Sequence, residues 1–586
     1  MHIRGFRAHG NPGGTARQIR TTDPGGEEGV IRLRALLFVA ALLPCSPVFA
    51  ADAPGKAAIA SAHKLATEAG FEVLAAGGNA FDAAVAVSAA LSVVEPQSSG
   101  IGGGAFFLVH RAKDGKQVLV DARETAPAAT DAKAYLDANG ELDRDKSVNG
   151  GLAAGIPGEP AALVWVAEHY GRLPLKQSLA PAIRLARDGF APDARCLMRI
   201  GQRKDVIARD AGAAALFLPG GEQPKQGWVL KNPDLARTLE LIAERGAKGF
   251  YEGEFAEKLV AGVKKAGGNW SREDLAAYQV REREPIVFTY RGHQVVTAPP
   301  PSSGGIALAE MLNILQGYDL TRLDRVERTH LVVEAMRRAY RDRAEYLGDP
   351  DFVKMPVAEL TSPLYAAGLR ASIHPKKATP SDSLPGYMAP VQGTDTTHFS
   401  IVDGDGNLAA VTQTVNLPFG AAVVVPGTGF VLNNQMDDFA LKAGAPNAYG
   451  LVGADANAPK PGHRPLSSMT PTFVIGPERT LVIGTPGGSR IITMVLEGIL
   501  AWFDGDAPQQ VVDNKRFHHQ YLPDVISVEK DTFTPAERKA LQAMGHTLSD
   551  GEQPWGFMNA VDWNRKTGEL RGGSDSRGVS GTAQVK

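Results

Sequence analysis

The spacing of apolar residues changes near residue 395 of this 586-residue chain, and this change constrains the fold most. Before that point apolar side chains recur mostly at helical spacing, whereas after it short runs typical of strands predominate. Residues 373–394, which separate the two parts, are rich in Pro, Ser and Gly and predict a mobile linker. We therefore expect an α+β fold with a helix-rich first part and a strand-rich second part.

The composition excludes several classes of protein. Apolar residues make up 44% and charged residues 22% of the chain, which is sufficient for a large folded core. The 62 basic and 64 acidic residues give a net charge of -2, so no overall field attracts nucleic acid. Cys45 and Cys196 are too few for a Cys-rich zinc site or a disulfide framework. We expect no nucleic-acid partner, no metal and no cofactor.

The N-terminal region has the layout of an export signal. Residues 1–30 lack apolar periodicity. We predict that they are unstructured, or that the start codon was assigned too early and they do not belong to the protein. In residues 31–50, Arg32 and Arg34 precede a short apolar run and a small-residue pattern ending at Ala50, as in a cleaved secretory signal peptide. The run is too short to span a bilayer, and no later stretch looks transmembrane, so an uncleaved anchor is the weaker alternative. The expected location is periplasmic or secreted.

Local patterns predict the main helices and strands. Residues 56–94 predict two helices separated at 77–79, and a hairpin is expected to end just before Arg123. Residues 150–345 predict mainly helices. In the second part we expect strands over 399–403, 408–415, 421–425 and 481–483, and a helix over 491–503.

Familiar ligand-binding and catalytic motifs are not met. Residues 100–105 are rich in glycine but follow a helix and enter a strand, the reverse of a dinucleotide-binding loop. The acidic turn at 403–407 lacks the glycine and glutamate of a calcium loop. The sequence has no GxSxG elbow, no HExxH and no GxxxxGK[ST].

Two threonines have the placement needed for nucleophilic catalysis. If the turn after residue 402 is centred on Asp405, residues whose numbers sum to 810 face each other, which places Thr414 opposite Thr396. A threonine hydroxyl needs a base, and a free α-amine, with a pKa of about 7.7 to 8.0, supplies one at a chain N-terminus. A break between Asp395 and Thr396 would create that terminus. The alternative is an ordinary pair of strand-forming threonines.

Further segments suit a substrate pocket. Gly487 and Gly488 lie between a predicted strand and a predicted helix, where backbone N–H groups can form an oxyanion hole. Residues 433–438 and 464–469 place polar side chains between apolar flanks and look like ligand-binding walls, although either could be a surface turn.

Together these motifs, in this order, resemble the γ-glutamyltranspeptidase family of N-terminal-nucleophile hydrolases. The resemblance rests on 395–398, 433–439, 464–469 and 486–490, with support at 77–84 and 121–127, and it runs from about Gly55 to near the C-terminus. It implies a proenzyme that cuts itself before Thr396 into a large subunit, 51–395, and a small subunit, 396–586. The two subunits would remain together as a heterodimer with a four-layer αββα fold.

The resemblance also implies roles for individual residues. Thr396 would be the nucleophile, Thr414 its hydroxyl partner, and Gly487 and Gly488 the oxyanion hole. Residues 439–463, which include Tyr449, look like the lid loop of the family. The α-carboxylate of a γ-glutamyl group would be held by Arg123, Ser467 and Ser468, and its α-ammonium by Asn416, Gln435 and Asp438. This division suits the chemistry, because a guanidinium fork matches a carboxylate and a carboxylate matches an ammonium.

The implied activity is transfer of the γ-glutamyl group of glutathione and related amides to water or to acceptor amino acids or dipeptides. A glutaryl-type β-lactam acylase with the same nucleophile is a second enzyme hypothesis. A protein that binds γ-glutamyl peptides without cleaving them is a third hypothesis from a different class. The Asp395-Thr396 junction distinguishes the third, since a binding protein has no use for internal scission.

Overall fold

The computed structural model describes residues 53–384, 395–442, 444–451, 453–550 and 554–586. The expectations for residues 1–30, for the signal peptide at 31–50 and for the second half of the linker lie outside the described residues. Among the helices of the described part, none combines the length and the apolar composition needed to cross a membrane.

The strands of the described residues are short and mostly antiparallel. In chain order they are β1 Ala58–Ser61, β2 Gly104–Arg111, β3 Lys116–Ala122, β4 Arg281–Arg283, β5 Ile286–Tyr290, β6 His293–Thr297, β7 Thr397–Val402, β8 Leu408–Thr414, β9 Thr472–Ile475, β10 Arg479–Gly484, β11 Phe517–His518, β12 Ile526–Val528, β13 Leu548–Asp550, β14 Asn559–Asn564, β15 Leu570–Ser574 and β16 Thr582–Val585.

Helices fill much of the chain before residue 372 and recur after residue 490. In chain order they are α1 Lys64–Ala75, α2 Ala80–Val94, α3 Arg144–Val148, α4 Glu159–Tyr170, α5 Leu175–Asp188, α6 Ala194–Gln202, α7 Lys204–Ile207, α8 Ala211–Phe217, α9 Pro233–Arg245, α10 Lys248–Tyr251, α11 Gly253–Lys265, α12 Arg272–Ala276, α13 Gly304–Leu315, α14 Arg325–Tyr346, α15 Val357–Leu360, α16 Pro363–Ala371, α17 Ile491–Phe503, α18 Pro508–Asp513 and α19 Pro535–Ala543.

Two large sheets form the centre of the fold. The first has the strand order β16-β1-β7-β8-β2-β3-β4 and the second β15-β14-β10-β9-β6-β5. Because side chains alternate along a strand, Phe107 of β2 packs with α2 on the outer face of the first sheet. Its neighbour Phe106 faces the second sheet, in a core that also contains α13, α14 and α17. The layers are therefore helix, sheet, sheet and helix, which is the four-layer αββα architecture of N-terminal-nucleophile hydrolases.

Helix α2 shows how local sequence sets one of these layers. Its N-cap Asn79 accepts hydrogen bonds from the N–H groups of Phe81 and Asp82, and Asp82 accepts one from Asn79 in return. Every residue of α2 is buried, as its nearly continuous apolar sequence predicts. The helix packs against β7 and β8 and so supports the strand ends where the threonine pair lies.

Several predicted elements are confirmed. The hairpin of β2 and β3, the α1–α2 pair and the helix over 491–503 are all present. Strands β7 and β8 pair Thr397 with Gln413, so the register predicted from the turn at Asp405 is correct.

Other expectations for secondary structure were wrong in part. The start of 56–94 forms strand β1 rather than helix. Residues 150–345 are mainly helical as predicted, with the short strands β4, β5 and β6 as exceptions. Residues 421–425 are buried but irregular, because Phe419 and Ala422 have φ values of 58° and 55°, which break an extended backbone. In the part of the predicted linker over 373–384, Ile373, Ala378 and Ser381 are buried, and most of the other side chains are exposed.

Candidate active site

The hydroxyl groups of Thr396 and Thr414 meet at the end of the β7–β8 hairpin. Their Oγ1 atoms are 3.1 Å apart, and both residues are buried. Thr396 Oγ1 also donates to the carbonyl oxygen of Asp395, the residue just before it in the intact chain. The predicted threonine pair is therefore formed, and it lies against the peptide bond that links Asp395 to Thr396.

The direction of the hydrogen bonds around this pair follows from the donors available. The Asn416 N–H donates to Thr414 Oγ1 at 2.8 Å, which leaves the Thr414 hydroxyl proton to point at Thr396 Oγ1. The proton of Thr396 in turn points at the Asp395 carbonyl. Asn416 has a φ of 78°, a left-handed conformation that asparagine tolerates better than most residues. Such a chain of hydrogen bonds polarises the Thr396 oxygen that would act as nucleophile.

A turn at Gly487 and Gly488 lies beside the threonine pair and leads into α17. Their φ values are 143° and 57°, and the first turn after them begins with a hydrogen bond from the Arg490 N–H to the Gly487 carbonyl. The N–H groups at such a helix start have no acceptor within the helix, so they are available to an oxygen of a ligand. A Cβ atom on Gly488 would lie 2.2 Å from the Tyr449 ring, so only glycine fits there.

The ring of Tyr449 packs against the Gly488 turn and lines the cavity. Tyr449 belongs to the segment 439–463 and is buried, and its hydroxyl donates to the carbonyl oxygen of Asn416 at 2.7 Å. A hydrogen bond from the Ala448 N–H to Asp437 Oδ2, at 2.7 Å, anchors this segment to residues 433–438. The lid role that the resemblance implies for this segment stays a prediction.

Arg123 and Asp438 form an ion pair in the cavity next to Thr396. Arg123 follows β3 and is buried, and its Nε donates to the Pro465 carbonyl at 3.0 Å while its terminal nitrogen contacts the Asp438 carboxylate. Burial raises the pKa of Asp438, and the neighbouring Arg123 opposes that shift. Burial also raises the pKa of Glu124 to about 8, and Arg123, whose Nη1 lies 3.4 Å from the Glu124 carboxylate, opposes that shift.

Gln435 adds an acceptor to this ion pair. Its Nε2 donates to the Asp438 carboxylate at 3.1 Å, and its Oε1 is buried without a hydrogen-bond partner among the described residues. A cation, an anion and an open acceptor therefore lie within one cavity. This set is complementary to a group that carries both a carboxylate and an ammonium.

The cavity brings together nearly all of the predicted site residues. It is small and partly open to solvent, and only two predicted residues do not line it. These are Asp395 and Gly487, each of which precedes a lining residue in the chain. The predicted residues that line the cavity are Arg123, Thr396, Thr414, Asn416, Gln435, Asp438, Tyr449, Ser467, Ser468 and Gly488.

Arg343 also lines the cavity and was missed from the sequence. It lies on α14, is buried, and donates from Nε to Ser303 Oγ at 3.0 Å. Burial lowers the pKa of Arg343 to about 10, with Asp438 among the groups that oppose the shift. The helix carries five other arginines, so no local pattern distinguishes this one.

One cluster outside the cavity has the residue types of a metal site. Ligand atoms of His330, Glu334 and His546 lie within 4.8 Å of one another. They already bind each other and their neighbours, since the two imidazoles are in direct contact at 2.8 Å and Glu334 accepts hydrogen bonds from Arg338 and Thr379. These contacts occupy His330 and Glu334, whereas His546 Nδ1 is buried without a hydrogen-bond partner among the described residues.

The fold and the threonine pair define the class of protein as an N-terminal-nucleophile hydrolase. The sequence profile of the family described as Gamma-glutamyltranspeptidase matches residues 66–585. The chain belongs to the γ-glutamyltranspeptidase family.

Individual relatives agree with this assignment. The chain is 45% identical to a glutathione hydrolase proenzyme of Pseudomonas sp. (strain A14) over 508 residues, covering 86% of this chain and 88% of the relative. It is 44% identical to the glutathione hydrolase proenzyme of Escherichia coli (strain K12) over 529 residues, covering 89% and 90%. Among solved structures, a cephalosporin acylase from Bacillus halodurans superposes with a TM-score of 0.78 at 31% identity, covering 90% of this chain and 95% of the acylase.

Proposed function

We propose that this protein is an exported γ-glutamyltransferase and glutathione hydrolase that matures by self-cleavage before Thr396. The observation that carries the proposal is the Thr396 hydroxyl, which lies between the Thr414 hydroxyl and the Asp395 carbonyl. The relatives named as glutathione hydrolase proenzymes support the same activity and the same kind of maturation.

Maturation would proceed by transfer of an acyl group from nitrogen to oxygen. Thr396 Oγ1 attacks the carbonyl carbon of Asp395, the C–N bond breaks, and the hydroxyl proton ends on the released nitrogen as part of the new α-amine. Water then hydrolyses the Asp395–Thr396 ester, which gives a carboxylate on Asp395 and restores the Thr396 hydroxyl. The products are a large subunit, 51–395, and a small subunit, 396–586, which associate as a heterodimer.

Turnover would use the same hydroxyl with its new base. The Thr396 α-amine takes the hydroxyl proton while Oγ1 attacks the γ-amide carbonyl, and the N–H groups of Gly487 and Gly488 bind the oxyanion. The leaving amine departs with the proton, and water or an acceptor amine resolves the γ-glutamyl ester. Acceptors would be amino acids or dipeptides.

The cavity would hold the donor by its α-amino acid group. Arg123, with Ser467 and Ser468, binds the α-carboxylate, and Asp438, with Gln435 and Asn416, binds the α-ammonium. Arg123 and Asp438 pair with each other in the cavity, and a zwitterionic donor would exchange this one internal ion pair for two.

Asp438 also bears on the two alternatives. A glutaryl donor lacks the α-ammonium, so a buried carboxylate at this position gives an acylase no benefit, although the similarity to a cephalosporin acylase keeps that activity as the second candidate. A protein that only binds γ-glutamyl peptides would not need a hydroxyl hydrogen-bonded to its own peptide carbonyl. We propose a periplasmic or secreted location from the signal sequence alone.

Self-cleavage and turnover are tested together by Thr396→Ala. The variant should stay a single chain and release no product from a γ-glutamyl anilide, whereas wild type should give two bands, the smaller beginning at Thr396. Thr396→Ser keeps a hydroxyl and should still be cleaved. Two subunits in the alanine variant would show that another group attacks, and the proposal would fail.

A further inference from the structure

Asp395 is held by a buried ion cluster that turnover does not use. Its Oδ1 lies 2.6 Å from Arg195 and its Oδ2 lies 3.0 Å from Arg199, both on α6. The Asp395 side chain has no exposed surface, and Arg195 is 9% exposed. None of these three residues lines the cavity that contains Thr396.

The cluster also reaches the residue that follows Thr396. Arg195 lies 3.7 Å from Glu95, and Glu95 accepts a hydrogen bond from Thr397 Oγ1 at 2.7 Å. Arg195 therefore contacts Asp395 directly and is linked to Thr397 through the Glu95 carboxylate. Thr396 itself lies between these two fixed neighbours.

We propose that Arg195 and Arg199 are positioning residues that hold the Asp395–Thr396 peptide for self-cleavage and have no part in later turnover. The inference rests on the proposed cleavage before Thr396. With the Asp395 side chain fixed by two guanidinium groups and its carbonyl bound by the Thr396 hydroxyl, the residue is constrained at both ends. Such a constraint keeps the carbonyl next to its nucleophile, and small misplacements of reacting groups cost large factors in rate.

The charge balance explains why two arginines surround Asp395. A buried carboxylate is costly without a cation, and Arg195 and Arg199 are the groups that compensate Asp395. Neither guanidinium is needed as an acid or a base in cleavage, because the proton of Thr396 Oγ1 ends on the released nitrogen. The part left for the two arginines is to hold the peptide in place.

Arg199→Gln is the sharper test, because Arg195 also contacts Glu95 and stacks on Phe557. Purified precursor should be followed on gels for the rate of cleavage, and kcat and KM should be measured on the mature fraction isolated afterwards. We expect cleavage to slow about tenfold to a hundredfold, with kcat and KM per mature enzyme within twofold of wild type. Arg199→Lys should restore part of the cleavage rate, because it keeps the charge.

Two further variants make the outcome decisive. Arg209→Gln removes an exposed arginine that pairs with Asp145, and it should be cleaved at the wild-type rate. Asp395→Asn removes the same ion pair without changing α6, so it tests the inference even if Arg199→Gln folds poorly. It should slow cleavage as Arg199→Gln does. Wild-type cleavage rates in Arg199→Gln and Asp395→Asn, or an equal loss of kcat in the mature Arg199→Gln enzyme, would overturn the inference. Wild type that is never cleaved before Thr396 would instead refute the proposed function.

Discussion

Replacing Asp438 with asparagine tests how the cavity selects its donor. Asp438 is 11% exposed at its side chain and contacts Arg123 and Gln435. The substitution keeps the shape and one acceptor oxygen but removes the negative charge. A γ-glutamyl donor then loses the partner of its α-ammonium, whereas a glutaryl donor, which has a carboxylate and no ammonium, loses nothing.

The size of the effect follows from the contacts of Asp438. Breaking a buried ion pair typically costs about 3 to 5 kcal/mol. The asparagine oxygen can still accept one hydrogen bond from the ammonium, and the cavity is partly open to water, so we take the lower end. At about 1.4 kcal/mol per tenfold change, kcat/KM for a γ-glutamyl donor should fall on the order of a hundredfold. The glutaryl donor should be unaffected or improved, because a like charge near its carboxylate is gone.

Steady-state kinetics on matched γ-glutamyl and glutaryl anilides would measure both effects. Asp437→Asn is the control, since the neighbouring Asp437 is buried and contacts Arg144 and the Ala448 N–H rather than the cavity. That variant should weaken both donors alike by loosening the 439–463 segment. If Asp438→Asn also reduces both donors equally, Asp438 has a structural role, and the acylase hypothesis regains support.

Two further substitutions test the electrostatics of the site and of the core. Arg123→Lys keeps the charge but cannot reproduce the contacts to Pro465 and Asp438. KM for γ-glutamyl donors should therefore rise about tenfold, while self-cleavage proceeds. An unchanged KM would show that Arg123 does not bind the donor. Burial raises the pKa of Glu159 to about 8 from 4.5. The contribution of this group to the free energy of unfolding is therefore fully present below about pH 4.5 and is lost as the pH rises through 8. Glu159→Gln should therefore raise the urea midpoint relative to wild type at pH 8.5 but not at pH 5, and a difference independent of pH would contradict this assignment.

Much of the site was predictable because it depends on short-range geometry. The turn at Asp405 determines the β7–β8 register, so the meeting of Thr396 and Thr414 follows from strand pairing. Polar residues between apolar flanks identified the wall that contains Asp438. The roles that the resemblance assigns to the individual site residues all remain predictions.

The features that the sequence did not reveal depend on contacts between distant parts of the chain. Arg343 reaches the cavity from the last turn of α14, and Arg199 meets Asp395 across 196 positions of sequence. Residues 373–384 have the composition of a linker, yet Thr379 donates to Glu334 on α14 and so fixes the segment. Composition reports a local preference, and long-range contacts of this kind override it.

The order of strands in the first sheet has a consequence for refolding. Strand β1 lies between β16 and β7, and β8 pairs with β2, so segments from before and after residue 395 alternate within one hydrogen-bonded ladder. After a cut before Thr396, neither polypeptide retains either of the two large sheets complete. Recovery from denaturant should therefore be a first-order process for the uncut Thr396→Ala chain and a second-order process for the mature protein, with a half-time that lengthens on dilution.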